Sequence, residues 1–159
     1  MALIKSISGI RGTIGGLEGE ALTPGDVVKF TAAFGQWVKD NSDINKIVIG
    51  RDARPSGKYI TKLVSSTLQA MGMDVVDLGL STTPTVEMAV TAENAGGGII
   101  ITASHNTVGW NALKLLNKEG EFISAEAGET VLQIAEAGQV AFAQSKDLGS
   151  YSINDTYID

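Results

Sequence analysis

Three short β-branched runs, separated by helical patterns, constrain the fold of this chain most strongly. They are KIVIG at 46–50, MDVVDLG at 73–79 and GGIIIT at 97–102. Between them, apolar residues recur at helical spacing over 56–71 and from 83 to about 94. Alternating strands and helices predict an α/β domain, and a third run that is apolar on both faces predicts a sheet with helices on each side.

The flanking segments complete the predicted order. A short strand is expected near 3–7, a capped helix opens at Thr23-Pro24, and a last helix runs over about 124–137. The run ALKLLN at 112–117 follows the third strand closely enough to pair back as a hairpin. The predicted fold is therefore a three-layer α/β/α sandwich whose sheet is mostly parallel, with one antiparallel strand.

Composition excludes several classes of function. The chain has 159 residues, a formal net charge of −6 and no cysteine. We therefore expect no nucleic-acid or membrane partner, no disulfide and no thiolate metal site. No apolar run is long enough for a membrane span or a signal peptide, which favours a cytoplasmic protein.

The pattern weakens near residue 141. Residues 1–141 are predicted to form one domain, and the polar, turn-rich stretch 142–159 is interpreted as a linker toward a missing second domain.

Candidate chemistry lies at the carboxyl ends of the predicted parallel strands, where loops converge on one edge of a sheet. The segment TASHNTVGWNALK at 102–114 places Ser104 and the single histidine, His105, in such a loop. The chain's three arginines all occupy two glycine-bounded segments, SGIRG with Arg11 and GRDARPSG with Arg51 and Arg54. Arginine offers a planar, forked contact to anions, so this placement indicates phosphate.

Each of these residues also has a structural interpretation. Arg51-Asp52 could be an ion pair that orders its loop, and the others could be ordinary turn or strand residues: Arg11, Ser104, His105 and Lys114. Other chemistries fit less well, because the chain lacks a Gly-x-Ser-x-Gly elbow, a Walker-type loop, a Gly-x-Gly-x-x-Gly motif and enough zinc ligands. An oxygen nucleophile that handles phosphate remains.

Several motifs, in this order, resemble the first domain of the α-D-phosphohexomutases, the phosphoglucomutase/phosphomannomutase family. They are SGIRG, GRDARPSG and TASHN followed by Asn111 and Lys114. The resemblance covers about residues 3–141. Thr107 stands where the family usually has proline, and Ala112 where it usually has glycine.

The resemblance implies a function for the serine. Ser104 would be a phosphoserine that interconverts hexose 1-phosphate and hexose 6-phosphate through a hexose 1,6-bisphosphate, an intramolecular phosphotransfer. Arg11, Lys114 and His105 would be catalytic. Asn106, Asn111 and Arg51 would bind substrate or phosphate, and Mg²⁺ would be held by an oxygen of the Ser104 phosphate.

The resemblance also implies that three further domains of the parent chain are missing. The isolated chain is then expected to fold without turning over substrate. Two alternatives stay open: a non-catalytic module that binds phosphosugars, and a structural interaction domain.

Overall fold

The computed structural model of the chain describes residues 2–6, 9–104 and 106–157. The strands are β1 (Leu3–Ser6), β2 (Gly9–Thr13), β3 (Lys46–Arg51), β4 (Asp74–Leu80), β5 (Gly97–Ile101), β6 (Trp110–Leu116) and β7 (Tyr151–Ile153). The helices are α1 (Pro24–Asn41), α2 (Gly57–Ala70), α3 (Thr83–Ala92) and α4 (Ala125–Ala137), with a short 3-10 helix at Ser145–Asp147.

The strands form one mixed sheet in the order β1-β2-β6-β5-β3-β4-β7. Strand β3 lies parallel to both β4 and β5, and β7 lies parallel to β4. The pairings β5-β6, β6-β2 and β2-β1 are antiparallel. The α/β class is confirmed, but the antiparallel side of the sheet is larger than the single strand that the sequence predicted.

Polar side chains at the helix ends explain where two helices begin. The Asp26 carboxylate accepts a hydrogen bond from the Thr23 backbone N–H at 3.2 Å, so α1 opens with the expected capping residues. Helix α3 begins at Thr83, as the spacing predicted, and is capped by Thr82, whose hydroxyl accepts from the Thr85 N–H at 3.3 Å.

Alternating strand residues divide the core into two layers. Ile47 and Ile49 of β3 pack with α1, α2 and α4, whereas Val48 packs on the opposite face with α3. Three helices therefore cover one face of the sheet, and α3 packs over β3 and β5 on the other. None of the helices in the described residues is both long and apolar enough to cross a bilayer.

Two strands were not predicted. Strand β2 contains residues 9–12 of the SGIRG motif, for which no strand was predicted, and it lies between β1 and β6. Its Gly9 has a φ of 138°, and a Cβ there would lie 2.0 Å from the Leu113 carbonyl oxygen, so the close strand pairing requires glycine. Strand β7 lies within the stretch that was interpreted as a linker. The boundary at residue 141 stays a prediction.

Candidate functional site

A cavity of about 300 Å³ opens where β2, β6 and the loop after β5 meet. Its lining residues are Ser6, Gly9, Arg11, Ala103, Ser104, Asn106, Ala112 and Lys114. Two of these carry a positive charge and none carries a carboxylate. The lining therefore favours an anion.

Ser104 lies in the turn between β5 and β6, which we call the serine loop (residues 102–109). Lys114 pairs with Ile100 across the two strands, so the lysine side chain lies beside the chain segment that leads to Ser104. Its Nζ donates a hydrogen bond to Ser104 Oγ at 3.0 Å. The Ser104 side chain is exposed, and its backbone has a φ of 47°. A left-handed serine is uncommon, and such strain concentrates at functional sites.

Arg11 enters the same cavity from β2. It pairs with Ala112 of β6, so its side chain lies on the face of the sheet that carries Lys114. Its Nη1 donates to Asn106 Oδ1 at 3.4 Å, which links β2 to the serine loop. The structure thus brings Arg11, Asn106 and Lys114 together around the Ser104 hydroxyl. His105 lies outside the described residues.

The strand-end loops converge as expected, but their arginines do not face the cavity. The Arg54 Nε bonds to Asp52 Oδ2 at 3.1 Å, and its side chain is 11% exposed. The alternative interpretation of Arg51-Asp52 as an ion pair is therefore wrong, since the Asp52 carboxylate pairs with Arg54 and Arg51 Nη1 donates to the Asp52 backbone carbonyl at 3.2 Å. The Arg54 guanidinium also donates to backbone carbonyl oxygens of the serine loop and β6, on Ser104, Asn106, Thr107 and Trp110.

Two predicted ligand-binding residues lie away from the cavity. Arg51 packs against the start of α2, where a Cβ on Gly57 would lie 3.2 Å from Arg51 Cδ. Asn111 has no exposed surface, and its side-chain nitrogen donates to Ser56 Oγ at 2.8 Å. The structure therefore brings neither residue to the cavity, since Asn111 is buried and Arg51 lies against α2, and their binding roles stay predictions.

Ser6 lines the cavity without having been predicted, and Arg54 makes contacts other than the predicted one to an anion. Ser6 lines the cavity at the end of β1, and its hydroxyl donates to the Gly9 carbonyl at 3.2 Å. Its place depends on the β1-β2 hairpin, which was not predicted. Arg54 was interpreted as an anion contact, and no feature of GRDARPSG distinguishes that role from binding carbonyl oxygens.

The family model described as phosphoglucomutase/phosphomannomutase, alpha/beta/alpha domain I, matches residues 3–141. The chain belongs to this family. It corresponds to the family's first domain, and its serine loop and Arg11 strand both fall inside the matched region.

Similar proteins agree with this membership. The chain is 36% identical over 126 residues to a phosphoglucosamine/phosphogalactosamine mutase of Sulfurisphaera tokodaii, covering 79% of the chain and 26% of the relative. It is 33% identical over 147 residues to a phosphoglucomutase/phosphomannomutase of Thermococcus kodakarensis, covering 91% and 32%.

A solved structure, of a phosphoglucomutase/phosphomannomutase family protein from Burkholderia thailandensis, matches with a TM-score of 0.79 and 25% identity, covering 96% of the chain and 34% of that protein. The chain therefore spans about a quarter to a third of the length of these relatives.

Proposed function

We propose that Ser104 carries a phosphoryl group and exchanges it with hexose phosphates, as the first domain of a phosphohexomutase. The observation that carries this proposal is the 3.0 Å hydrogen bond from Lys114 Nζ to Ser104 Oγ. An exposed hydroxyl beside an ammonium group, in a cavity that also holds Arg11, is suited to bearing a doubly charged phosphate.

The same contact gives Lys114 a chemical role. When the phosphoryl group leaves Ser104, the P–Oγ bond breaks and a P–O bond to the sugar hydroxyl forms. Oγ gains a proton while the sugar hydroxyl loses one, so the proton count is unchanged. The Lys114 ammonium, which donates toward Oγ, would supply that proton and would regain one from the sugar hydroxyl, and the reverse step would move both protons back.

Arg11 supports the transfer by its charge. Its guanidinium is held toward the serine loop by Asn106 and lies in the cavity that would receive the phosphate. There it would offset the negative charge of a phosphoryl group in transit. The resemblance gives His105 a role in the same step, and this assignment stays a proposal.

The substrate class follows from the same reasoning. The names of the relatives include glucosamine, galactosamine, glucose and mannose phosphates, so we propose hexose phosphates as a class, with a hexose 1,6-bisphosphate as intermediate. The isolated chain would accept or lose a phosphoryl group without completing the exchange. A mutase assay that showed ordinary turnover by this chain alone would contradict that part.

Mg²⁺ would find few ligands in this domain. Within the described residues, no group of three or more His, Asp or Glu side chains could hold a metal ion. Mg²⁺ prefers octahedral oxygen coordination, and the cavity would offer one phosphate oxygen on Ser104 beside two cations. The described residues alone do not form a magnesium site.

The experiment is intact-mass measurement after incubation with a hexose 1,6-bisphosphate. We expect one phosphoryl group on the wild-type chain and none on Ser104→Ala. Lys114→Gln should slow uptake by about 100-fold or more, on the scale of general acid–base catalysis. Lys118→Gln is the matched control, because Lys118 is exposed and outside the cavity, and should behave as wild type.

Two outcomes would contradict the proposal. One is equal phosphate uptake by wild type and Ser104→Ala. The other is no uptake by wild type while a hexose phosphate still binds equally well to both, which would instead support the phosphosugar-binding module.

A further inference from the structure

We propose that Arg54 is the positioning residue of the serine loop and sets the direction of the Ser104 hydroxyl. Every N–H of its guanidinium has an acceptor. Nε donates to Asp52 Oδ2, Nη1 donates to the Thr107 and Trp110 carbonyls, and Nη2 donates to the Ser104 and Asn106 carbonyls. A guanidinium carries five such donors in a fixed plane, so this side chain is fully used.

The carbonyl oxygens of the serine loop need the donors that the Arg54 guanidinium provides. A tight polar turn directs several carbonyl oxygens inward, and each costs free energy when it is buried without a donor. One planar cation satisfies them together. Lysine cannot replace it in this role, since an ammonium has three donors that converge on one atom.

Both peptide groups that flank Ser104 belong to this network. The Ser104 carbonyl accepts from Arg54 Nη2 at 3.0 Å. The Ser104 N–H donates to Thr102 Oγ1 at 3.2 Å, and that hydroxyl donates to Asp52 Oδ2 at 2.6 Å. Asp52, in turn, is the ion-pair partner of Arg54.

The network therefore accounts for the left-handed backbone of Ser104. A non-glycine residue with a φ of 47° persists only where its surroundings determine its conformation. Here hydrogen bonds to Arg54 and Thr102 fix the peptide groups on both sides of Ser104, and the Ser104 hydroxyl accepts a hydrogen bond from Lys114. Arg54 acts through the loop and does not contact the reacting atoms.

The first test is amide hydrogen exchange of the unphosphorylated chain, which does not depend on the proposed function. We expect Arg54→Lys to speed exchange at Ser104 and Asn106 by about 10-fold, while the β5 amides keep their wild-type rates. Arg51→Lys is the matched control, because it makes the same change in the same segment away from the loop. Wild-type exchange in Arg54→Lys would overturn the proposal.

The second test rests on the proposed function. The rate of phosphate uptake from a hexose 1,6-bisphosphate should fall about 100-fold in Arg54→Lys, the scale expected for a displacement of about 1 Å. Arg54→Ala should fall similarly and recover with added guanidinium ion but not with ammonium ion. Slow uptake with wild-type loop exchange, or no rescue of a folded Arg54→Ala chain, would overturn the positioning role.

The two tests fail separately. If wild type and Ser104→Ala both take up no phosphate, the proposed function fails, and loop exchange still decides the role of Arg54.

Discussion

Ser104 combines an exposed hydroxyl beside Lys114 with an unusual backbone conformation. In the described residues only Asn94 and Ser104 have a positive φ without being glycine. Asparagine tolerates this region, but serine is held there at a cost. The backbone conformation of Ser104 and its contact with Lys114 are therefore coupled, because a relaxed backbone would carry Oγ away from Lys114.

We predict that Ser104→Gly is more stable than Ser104→Ala by about 1 kcal/mol, because glycine adopts a positive φ without the Cβ penalty. Both variants lose the hydroxyl, so the comparison isolates the backbone. Urea unfolding measures the difference in free energy.

Ser66, exposed within α2, is the control with the opposite sign. There Ser66→Ala should be more stable than Ser66→Gly by about 1 kcal/mol, the helix-propensity difference. Equal stability of the two position-104 variants would contradict a strained Ser104.

The sequence predicted the hairpin that carries Ser104 and Lys114, but not the side chains that hold the serine loop in place. Ser104 and Lys114 lie on the β5-β6 hairpin that local patterns predicted, whereas Arg11 reaches the cavity from β2, which they did not. The contacts of Arg54 and the burial of Asn111 were not predicted for a different reason. Whether a polar side chain faces a ligand or a buried backbone group depends on turn geometry and depth, and neither leaves a periodic signal in one sequence.

At the scale of elements, strands β2 and β7 were the parts of the sheet that the sequence did not predict. Strand β2 has two glycines in five residues, and β7 is three exposed residues long, so neither shows the alternation of a half-buried strand. Both depend on tertiary contacts. For β7 these contacts are hydrogen bonds to two carboxylates of β4. Asp74 accepts from the Ser150 N–H at 2.9 Å, and Asp77 accepts from the Tyr151 hydroxyl at 2.5 Å.

The Tyr151 contact predicts a loss of stability in alkali. Burial, then the hydrogen bond to Asp77 and the charge of that carboxylate, raises the pKa of Tyr151 from 10.0 to about 12. A phenol with a raised pKa in the folded chain stabilises it below pH 10 and loses this contribution as the pH rises through about 12. The stability advantage of wild type over Tyr151→Phe should therefore shrink across that interval.

Urea unfolding at several pH values measures this advantage, and the difference in phenolate absorbance between the two chains gives the pKa directly. Asp77→Asn should bring the titration of Tyr151 closer to 10.0, since it removes the charge. Titration of wild-type Tyr151 at its ordinary pKa would contradict the hydrogen bond that joins Tyr151 of β7 to Asp77 of β4.

At the scale of the whole molecule, the site lies on the antiparallel half of the sheet and β7 closes the opposite edge. The candidate site and the strand that covers the sheet edge therefore lie at different ends of one sheet. The segment after residue 141 covers the β4 edge, since the Val75 N–H donates to the Ser150 carbonyl at 2.8 Å and the Asn154 N–H donates to the Asp77 carbonyl at 3.0 Å. Gly149 fits closely here, because a Cβ would lie 1.8 Å from the Met73 carbonyl oxygen.

This arrangement predicts that a chain ending at residue 141 folds but is less stable. Strand β4 would become an open edge, and losing several backbone hydrogen bonds should lower the free energy of unfolding by about 2 kcal/mol or more. An unpaired edge also invites association, so light scattering should detect dimers or larger species.

The double variant Leu148→Ala/Ile153→Ala is the control for this truncation, because both side chains are exposed, at 55% and 69%, and the backbone pairing is kept. It should match the intact chain in stability and in size. If the truncated chain also matched it, residues 142–157 would be a linker after all, as the sequence alone indicated. If only the truncation is destabilising, the strand at residues 151–153 belongs to the fold of this domain and the boundary must move beyond it.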